Sequence, residues 1–143
     1  EHFSVCGERY DLVMLLQPTS PLRTVQDIDN AVELLFSKEA QSVVSVCEAE
    51  HHPYGMNMLP PDGSLEDFLK PEANNSNRQE LPVFFRINGA IYIAYIAYLQ
   101  AQKSFVGKDT FAYIMPRERS VDIDGIIDFK FAEFLLAAKV SKQ

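Results

Sequence analysis

The chain has 143 residues, 47% of them apolar and 23% charged, with a formal net charge of −7. This length suffices for one core, and no apolar run approaches the ~20 residues of a membrane-spanning helix, so one domain without a membrane span is predicted. The acidic balance argues against a nucleic-acid partner, and Cys6 and Cys47 match neither a disulfide framework nor a zinc spacing, which indicates reduced thiols in a cytoplasmic protein.

The charge is unevenly distributed along the chain. Residues 1–70 carry 12 acidic and four basic side chains, whereas residues 71–143 carry eight acidic and nine basic ones. Because opposite charges attract, we expect a small anionic ligand to bind nearer the second half. Ordinary solvated surface is the alternative interpretation of the same pattern.

The first third of the chain predicts a β-strand, a helix and a second strand. Residues 10–17 (YDLVMLLQ) form an apolar run typical of a strand that is covered on both faces, as in a parallel sheet. Thr24 begins a T-x-x-D helix start, after which the apolar positions 25, 28, 32, 35 and 36 recur at helical spacing. Residues 42–47 (SVVSVC) form the second strand, which predicts a right-handed βαβ unit.

The middle of the chain, residues 49–82, has a different composition. It contains several prolines, the turn signal Asp62-Gly63 and the polar run NNSN at residues 74–77. A segment of this kind is typical of an excursion from the main sheet, and long irregular segments are usually functional or disordered. We therefore predict that residues 49–82 form an interaction arm.

The remaining elements continue the alternation of strands and helices. Residues 83–86 and 90–95 are predicted as two strands on either side of Asn88-Gly89, and residues 94–103 as a helix. Residues 111–115 form a short strand and residues 121–124 an extended segment. Residues 126–139 form a helix with Ile127, Phe131, Phe134, Leu135 and Ala138 on one stripe, capped by Asp124. The predicted fold is a three-layer, mostly parallel α/β sheet with an inserted arm.

Two aspartates in the last third are candidates for binding a metal ion. If residues 121–124 are extended, Asp122 and Asp124 point to the same side, about 7 Å apart, so both could bind one hard cation. Mg²⁺ prefers a few carboxylates together with water and phosphate. Helix capping and simple solvation are the alternative roles for these carboxylates.

Arginines and the end of the first strand are candidates for binding an anion. The guanidinium fork of Arg78, Arg86, Arg117 or Arg119 fits a carboxylate or phosphate, although a surface salt bridge is an equally good explanation. Gln17 and Ser20 follow a predicted strand, at the sheet edge where α/β proteins bind ligands. The six glycines are isolated, so the sequence contains no G-x-G-x-x-G or Walker loop.

Four ordered strings carry a resemblance to a known family. They are LLQPTSPLR at residues 15–23, NRQELP at 77–82, FRINGAIY at 85–92 and SVDID followed by GIIDF at 120–129. In this order and spacing they are similar to the acylneuraminate cytidylyltransferase family. The resemblance implies a nucleotide-diphospho-sugar transferase fold, transfer of CMP from CTP to the anomeric hydroxyl of a sialic acid, release of pyrophosphate, a need for Mg²⁺, and a homodimer.

The resemblance also implies roles for individual residues. Asp122 and Asp124 match the metal-binding pair, with catalysis depending on them, and Arg78 matches an arm residue that reaches the partner's site. Residues 49–82 would then be a dimerisation excursion. The sugar site would be lined by Gln17, Arg86, Asn88, Tyr92 and Phe105.

Two departures from the family pattern affect the expected activity. Val106 stands where many relatives have a second phenylalanine, so a related acid, such as pseudaminic, legionaminic or 3-deoxy-manno-octulosonic acid, is an alternative substrate. No basic, glycine-containing CTP loop precedes residue 10, so the chain is expected to be the C-terminal part of the enzyme, without its first strands. A non-catalytic dimerisation and sugar-binding module is the alternative function of such a part.

Overall fold

The computed structural model describes residues 9–66, 68, 69 and 81–140, and over these ranges the chain is an α/β protein. Cys6 and Arg78 lie outside the described residues. Two short 3₁₀ turns, Pro53–Gly55 and Arg117–Arg119, accompany the regular elements. In chain order the strands and helices of the described part are β1 (Leu12–Leu15), α1 (Val25–Ser37), β2 (Ser42–Glu48), β3 (Phe85–Tyr95), α2 (Ile96–Gln102), β4 (Thr110–Ile114) and α3 (Ile126–Val140).

The four strands form one mixed sheet in the order β1-β3-β2-β4. β1 pairs antiparallel with β3, with Leu12 opposite Tyr95 and Leu15 opposite Tyr92. β2 pairs parallel with β4, beginning with Ser42 opposite Thr110. The sequence predicts a mostly parallel sheet, and this prediction is wrong: β3 lies between the two strands of the predicted βαβ unit, and its pairing with β1 is antiparallel.

β3 is a single strand of 11 residues, whereas the sequence predicted two strands on either side of Asn88-Gly89. Gly89 adopts φ +74°, a conformation that favours glycine, in the middle of the strand. An Asn-Gly pair favours a tight turn locally, but here the single positive φ is accommodated inside the strand as a local irregularity. The chain continues through it, so residues on both sides of Gly89 belong to the same element.

Helix α1 begins as the sequence predicts and covers one face of the sheet. Thr24 accepts a hydrogen bond from the Asp27 amide, and the Asp27 carboxylate accepts one from the Thr24 amide, which completes a capping box. The buried residues of this helix are Asp27, Ala31 and Leu35. They contribute to a core that consists of Ala31, Leu35, Ala40, Val43, Ala90, Ile91, Ile93 and Met115.

Helix α3 presents a different face from the one predicted. Ala132 is buried, at 3% exposure, whereas Ile127, Phe131 and Phe134 are exposed. The helix is apolar nearly all round, so its hydrophobic pattern does not define one face. At its start, the carboxylate of Asp128 accepts hydrogen bonds from the amides of Asp124 and Gly125, which precede the helix, and the capping role of Asp124 stays a prediction.

The chain divides into two compact units, one formed by Glu1–Cys47 with Ile87–Gln143 and the other by Glu48–Arg86. The second unit contains the predicted arm, and its described part includes an aromatic cluster in which the His52 ring lies edge-on to Tyr54 and Phe84, each at 4.5 Å between centroids. The role of the arm in dimerisation stays a prediction. Among the described residues, no helix has the length and hydrophobicity to span a membrane.

Candidate functional site

The loop after β1 is held in place by hydrogen bonds to its own backbone. Arg23 donates from one guanidinium nitrogen to the carbonyl oxygens of Gln17, at 2.8 Å, and Ser20, at 2.7 Å. Burial lowers the pKa of Arg23. The Gln17 carboxamide lies directly against Gly89, where a Cβ would collide with its Oε1 atom. Gly89 is therefore required both by its positive φ and by the position of Gln17.

Asn88 lies beneath this loop in a cluster of buried polar side chains. It is 1% exposed. Its Oδ1 atom accepts from Ser45 Oγ at 2.6 Å, and its Nδ2 atom donates to Ser120 Oγ at 2.8 Å. Its backbone carbonyl accepts from Ser20 Oγ at 3.1 Å. We call Ser20, Ser45, Asn88 and Ser120 the serine–asparagine cluster.

The segment that follows Ser120 carries the two candidate metal ligands. It is irregular rather than a strand, and the Ile123 amide donates to the Thr19 carbonyl at 2.8 Å, which ties the segment to the loop after β1. Asp122 is partly buried, and its Oδ1 atom is buried with no hydrogen-bond partner in the described part of the chain. Asp124 is exposed. No group of three or more His, Cys, Asp or Glu side chains among the described residues is arranged to hold a metal, so the carboxylates available there are at most a pair.

Tyr92 connects this segment to an aromatic contact. Its ring lies 5.5 Å from that of Phe105, with the planes tilted by 54°. Burial raises the pKa of Tyr92, and the negative charge of Asp122 raises it further. The phenol therefore stays protonated at neutral pH and can act as a hydrogen-bond donor beside a carboxylate.

The loop that carries Phe105 is fixed by Thr110 at the start of β4. Thr110 Oγ1 donates to the Phe105 carbonyl at 3.2 Å and accepts from the Gly107 amide at 3.1 Å. The Tyr98 hydroxyl lies 3.0 Å from Thr110 Oγ1. Val106, at the position that departs from the family pattern, is exposed. The position of the Phe105 ring thus depends on side chains from α2 and β4.

A buried ion pair supports the segment that leads to Ser120. Arg119 donates two hydrogen bonds to the Asp27 carboxylate, at 2.9 and 2.8 Å, and the Tyr113 hydroxyl donates a third at 3.1 Å. Burial by itself would raise the pKa of Asp27, but hydrogen bonds from Arg119 and Thr24, with the positive charge of Arg119, lower it to about 2. Arg119 was considered as an anion-binding residue, and its guanidinium is instead engaged by Asp27.

Several of the predicted site residues lie in the same unit of the structure. Gln17, Asn88, Tyr92, Phe105 and Asp122 all belong to the first unit, in the contacts described above. Arg86 belongs to the second unit, where it forms a bidentate ion pair with Glu50 at 2.8 and 2.7 Å. Arg78 lies outside the described residues.

The sequence interpretation missed three residues that organise the site. These are Ser45, Ser120 and Asp27, each of which is almost completely buried. In the sequence, Asp27 belongs to a helix start, Ser45 to a predicted strand and Ser120 to the string at residues 120–129, and none of them is singled out there. The partners that tie them to the site, Asn88 and Arg119, lie between 32 and 92 residues away along the chain, so no local pattern identifies this role.

Comparison with known proteins identifies relatives of the chain, although no family model matches it. It is 38% identical over 124 residues to an N-acylneuraminate cytidylyltransferase of Escherichia coli O18:K1:H7, which covers 86% of the chain and 29% of the relative. It is also 34% identical over 134 residues to a CMP-N,N'-diacetyllegionaminic acid synthase of Legionella pneumophila. This match covers 89% of the chain and 54% of the relative.

A third relative matches over a similar range. It is a post-translational flagellin modification protein B of Campylobacter coli, 30% identical over 132 residues, which covers 92% of the chain and 55% of the relative. The chain therefore spans about half the length, or less, of these curated relatives. The identities extend over most of the chain and agree with the four ordered strings found in the sequence. Over most of its length the chain is therefore homologous to N-acylneuraminate cytidylyltransferases and CMP-N,N'-diacetyllegionaminic acid synthases.

Proposed function

We propose that the chain carries the sugar-binding and metal-binding part of an enzyme that transfers CMP from CTP to the anomeric hydroxyl of a sialic or legionaminic acid, with release of pyrophosphate. The names of the relatives support this reaction class, since they include both an N-acylneuraminate cytidylyltransferase and a CMP-legionaminic acid synthase. The observation that carries the proposal is the unpartnered, buried Oδ1 atom of Asp122 beside Tyr92.

The side chains at this place are suited to Mg²⁺. A buried carboxylate oxygen without a partner is unfavourable unless a cation or a ligand satisfies it. Asp124, two residues further on, is exposed and can supply a second oxygen. Mg²⁺ is commonly held by one or two carboxylates together with substrate phosphates and water. When bound, the ion would neutralise charge on the phosphate oxygens of CTP.

The chain's own residues would bind and orient the sugar acid. The protonated phenol of Tyr92 can donate a hydrogen bond to a sugar oxygen, and the Phe105 ring offers an apolar surface to an acyl substituent. The Gln17 carboxamide can both donate hydrogen bonds to the sugar acid and accept them from it. Arg23 holds the loop that carries Gln17 through its hydrogen bond to the Gln17 carbonyl. Positioning and charge stabilisation of this kind account for most of the catalysis in phosphoryl-group and nucleotidyl-group transfer.

The reaction is tested by following pyrophosphate release in the protein at its full natural length. With CTP, Mg²⁺ and a panel of sugar acids, pyrophosphate should be released with N-acetylneuraminate or with N,N'-diacetyllegionaminate. The sugar acid with the higher kcat/KM is the preferred substrate. Asp122→Asn should lower kcat/KM by about 100-fold or more, because the aspartate would contact the metal. Asp109→Asn, an exposed position, serves as the matched control.

Residues 1–143 alone are expected to give no detectable turnover of CTP, because their isolated glycines build no phosphate-binding loop. The same sample should nevertheless bind the sugar acid, which saturation-transfer NMR can detect. Turnover by this chain alone would show that its residues hold the triphosphate in a way that the sequence motifs do not reveal. Undiminished turnover of Asp122→Asn at saturating Mg²⁺ would refute the metal assignment.

A further inference from the structure

Asn88 is enclosed on every side by the chain's own polar groups. Its Oδ1 atom accepts from Ser45 Oγ at 2.6 Å and from the Ala90 amide at 3.2 Å. Its Nδ2 atom donates to Ser120 Oγ at 2.8 Å and to Met115 Sδ at 3.4 Å. With 1% of the residue exposed, a ligand arriving from solvent would have to break one of these buried bonds to reach the carboxamide.

The hydrogen bonds around Asn88 require an amide. Ser120 Oγ donates its proton to the Pro116 carbonyl at 2.8 Å, so it offers Asn88 a lone pair and needs a donor in return. Ser45 Oγ has one proton, and both Asn88 Oδ1, at 2.6 Å, and the Ile91 carbonyl, at 3.1 Å, can accept it. The Ala90 amide donates only, so its bond to Oδ1, at 3.2 Å, fixes that end of Asn88 as an acceptor. An asparagine supplies a donor at one end and an acceptor at the other, whereas an ionised aspartate supplies acceptors only.

The cluster connects the two segments that carry the proposed ligands. Ser120 precedes Asp122 by two residues, and Ser20 lies in the same loop as Gln17. The Asn88 side chain binds Ser120, and its backbone carbonyl accepts from Ser20 Oγ at 3.1 Å. The bond from the Ile123 amide to the Thr19 carbonyl, at 2.8 Å, closes the connection between the two segments.

We propose that Asn88 is a positioning residue, an inference that rests on the proposed function. It holds the Ser120–Asp122 segment and the Gln17 loop in one arrangement around β3, and it does not contact the sugar acid. This role differs from the sugar-lining role that the family resemblance implies. A residue buried within such a network acts through the groups that it orients.

Amide hydrogen exchange in the 143-residue chain tests the positioning role without any ligand. In Asn88→Ala and in Ser120→Ala, exchange of the Ile123 amide should become about tenfold faster, because the segment that it anchors is no longer held. Exchange of the Tyr95 amide, at the far end of β3, should change by less than about twofold. Ser37→Ala, an exposed position at the end of α1, is the matched control for Ser120→Ala and should leave both amides unchanged.

The double variant sharpens this test. If Asn88 acts through Ser120, the combined substitution should speed Ile123 exchange no more than the larger single effect. Should Asn88→Ala fail to fold, Ser120→Ala alone decides, because it removes only one hydroxyl. Unchanged Ile123 exchange in a folded variant, or equal acceleration at Tyr95, would overturn the proposal, whatever the chain's activity.

A paramagnetic ion provides a separate readout for the metal segment. Mn²⁺, used in place of Mg²⁺, should broaden the NMR signals of Asp122 and Asp124, and Asn88→Ala should raise the required Mn²⁺ concentration about tenfold. Absence of broadening in the unsubstituted chain would count against the metal site of the proposed function, while the exchange measurement still decides the role of Asn88. An unchanged Mn²⁺ midpoint in a variant whose Ile123 exchange has become faster would overturn the positioning role.

Discussion

The ion pair between Asp27 and Arg119 predicts a specific dependence of stability on pH. The Asp27 side chain is 1% exposed and that of Arg119 27%, so solvent screens the pair only from the Arg119 side. The pKa of Asp27 in the folded chain is about 2, compared with an ordinary value of 3.8. Replacing Asp27 by asparagine removes the titrating group while keeping its shape.

The size and direction of the effect follow from this difference in pKa. A carboxyl whose pKa is lower in the folded state stabilises the fold at pH values above its unfolded pKa, and the stabilisation disappears as the pH falls through the folded pKa. A pKa difference of nearly two units means that the Asp27 carboxylate contributes about 2 kcal/mol to the free energy of unfolding at pH 7. At pH 2.5 this contribution falls to about 1 kcal/mol or less. The hydrogen bonds of the pair are among the causes of this pKa difference, so the expected cost of Asp27→Asn at neutral pH is about 2 kcal/mol.

Urea unfolding followed by circular dichroism at pH 7 and at pH 2.5 measures this difference. The gap in unfolding free energy between the unsubstituted chain and Asp27→Asn should shrink by more than about 1 kcal/mol on acidification. Asp29→Asn, an exposed position on the same helix, provides the control, and its gap should stay near zero at both pH values. A gap for Asp27→Asn that is the same at both pH values would refute the electrostatic reasoning.

Three further predictions concern other parts of the chain. Gly89→Ala should lower the free energy of unfolding by about 3 kcal/mol, because φ is +74° and the new Cβ would meet the Gln17 side chain. The control Gly63→Ala, at φ +73° in open space, should lower it by only about 1 kcal/mol. Equal losses in the two variants would contradict the close contact at Gly89. Arg86→Ala should cost less than about 1 kcal/mol, because both partners in its ion pair with Glu50 are about one third exposed, and a loss above about 2 kcal/mol would contradict this. Light scattering should report a dimer, twice the 16.2 kDa of one chain, and a folded monomer at high concentration would count against the predicted arm.

The elements that the sequence predicted well are those with local signals. α1 follows from Thr24 and Asp27, which lie three residues apart and cap the same turn. β2 and β4 follow from short β-branched or aromatic runs, and both lie close to the predicted ranges. Local patterns of this kind do not specify which strands are neighbours, so the position of β3 between β1 and β2, and its antiparallel pairing with β1, could not be read from them.

The site was predictable only in part, for the same reason. Motif order brought Gln17, Asn88 and Asp122 to attention, but it could not show that Asn88 is buried beneath the loop. The sequence predicted that Asn88-Gly89 separates two strands, since an Asn-Gly pair locally favours a break. Partners from distant segments, Ser45 and Ser120, instead satisfy the asparagine inside a continuous strand. Non-local hydrogen bonds of this type override local conformational preference.

The continuity of β3 restricts how the length of this part of the chain can vary. Tyr92 lies opposite Leu15 in the sheet, and its neighbour Ile93 belongs to the core beneath α1. Because side chains alternate along a strand, deleting one residue between Gly89 and Tyr92 would exchange these two positions. The phenol would then enter the apolar core, and an isoleucine would face Phe105. Homologous chains that keep this sheet and this aromatic contact must therefore keep an unchanged spacing from Asn88 to Tyr92.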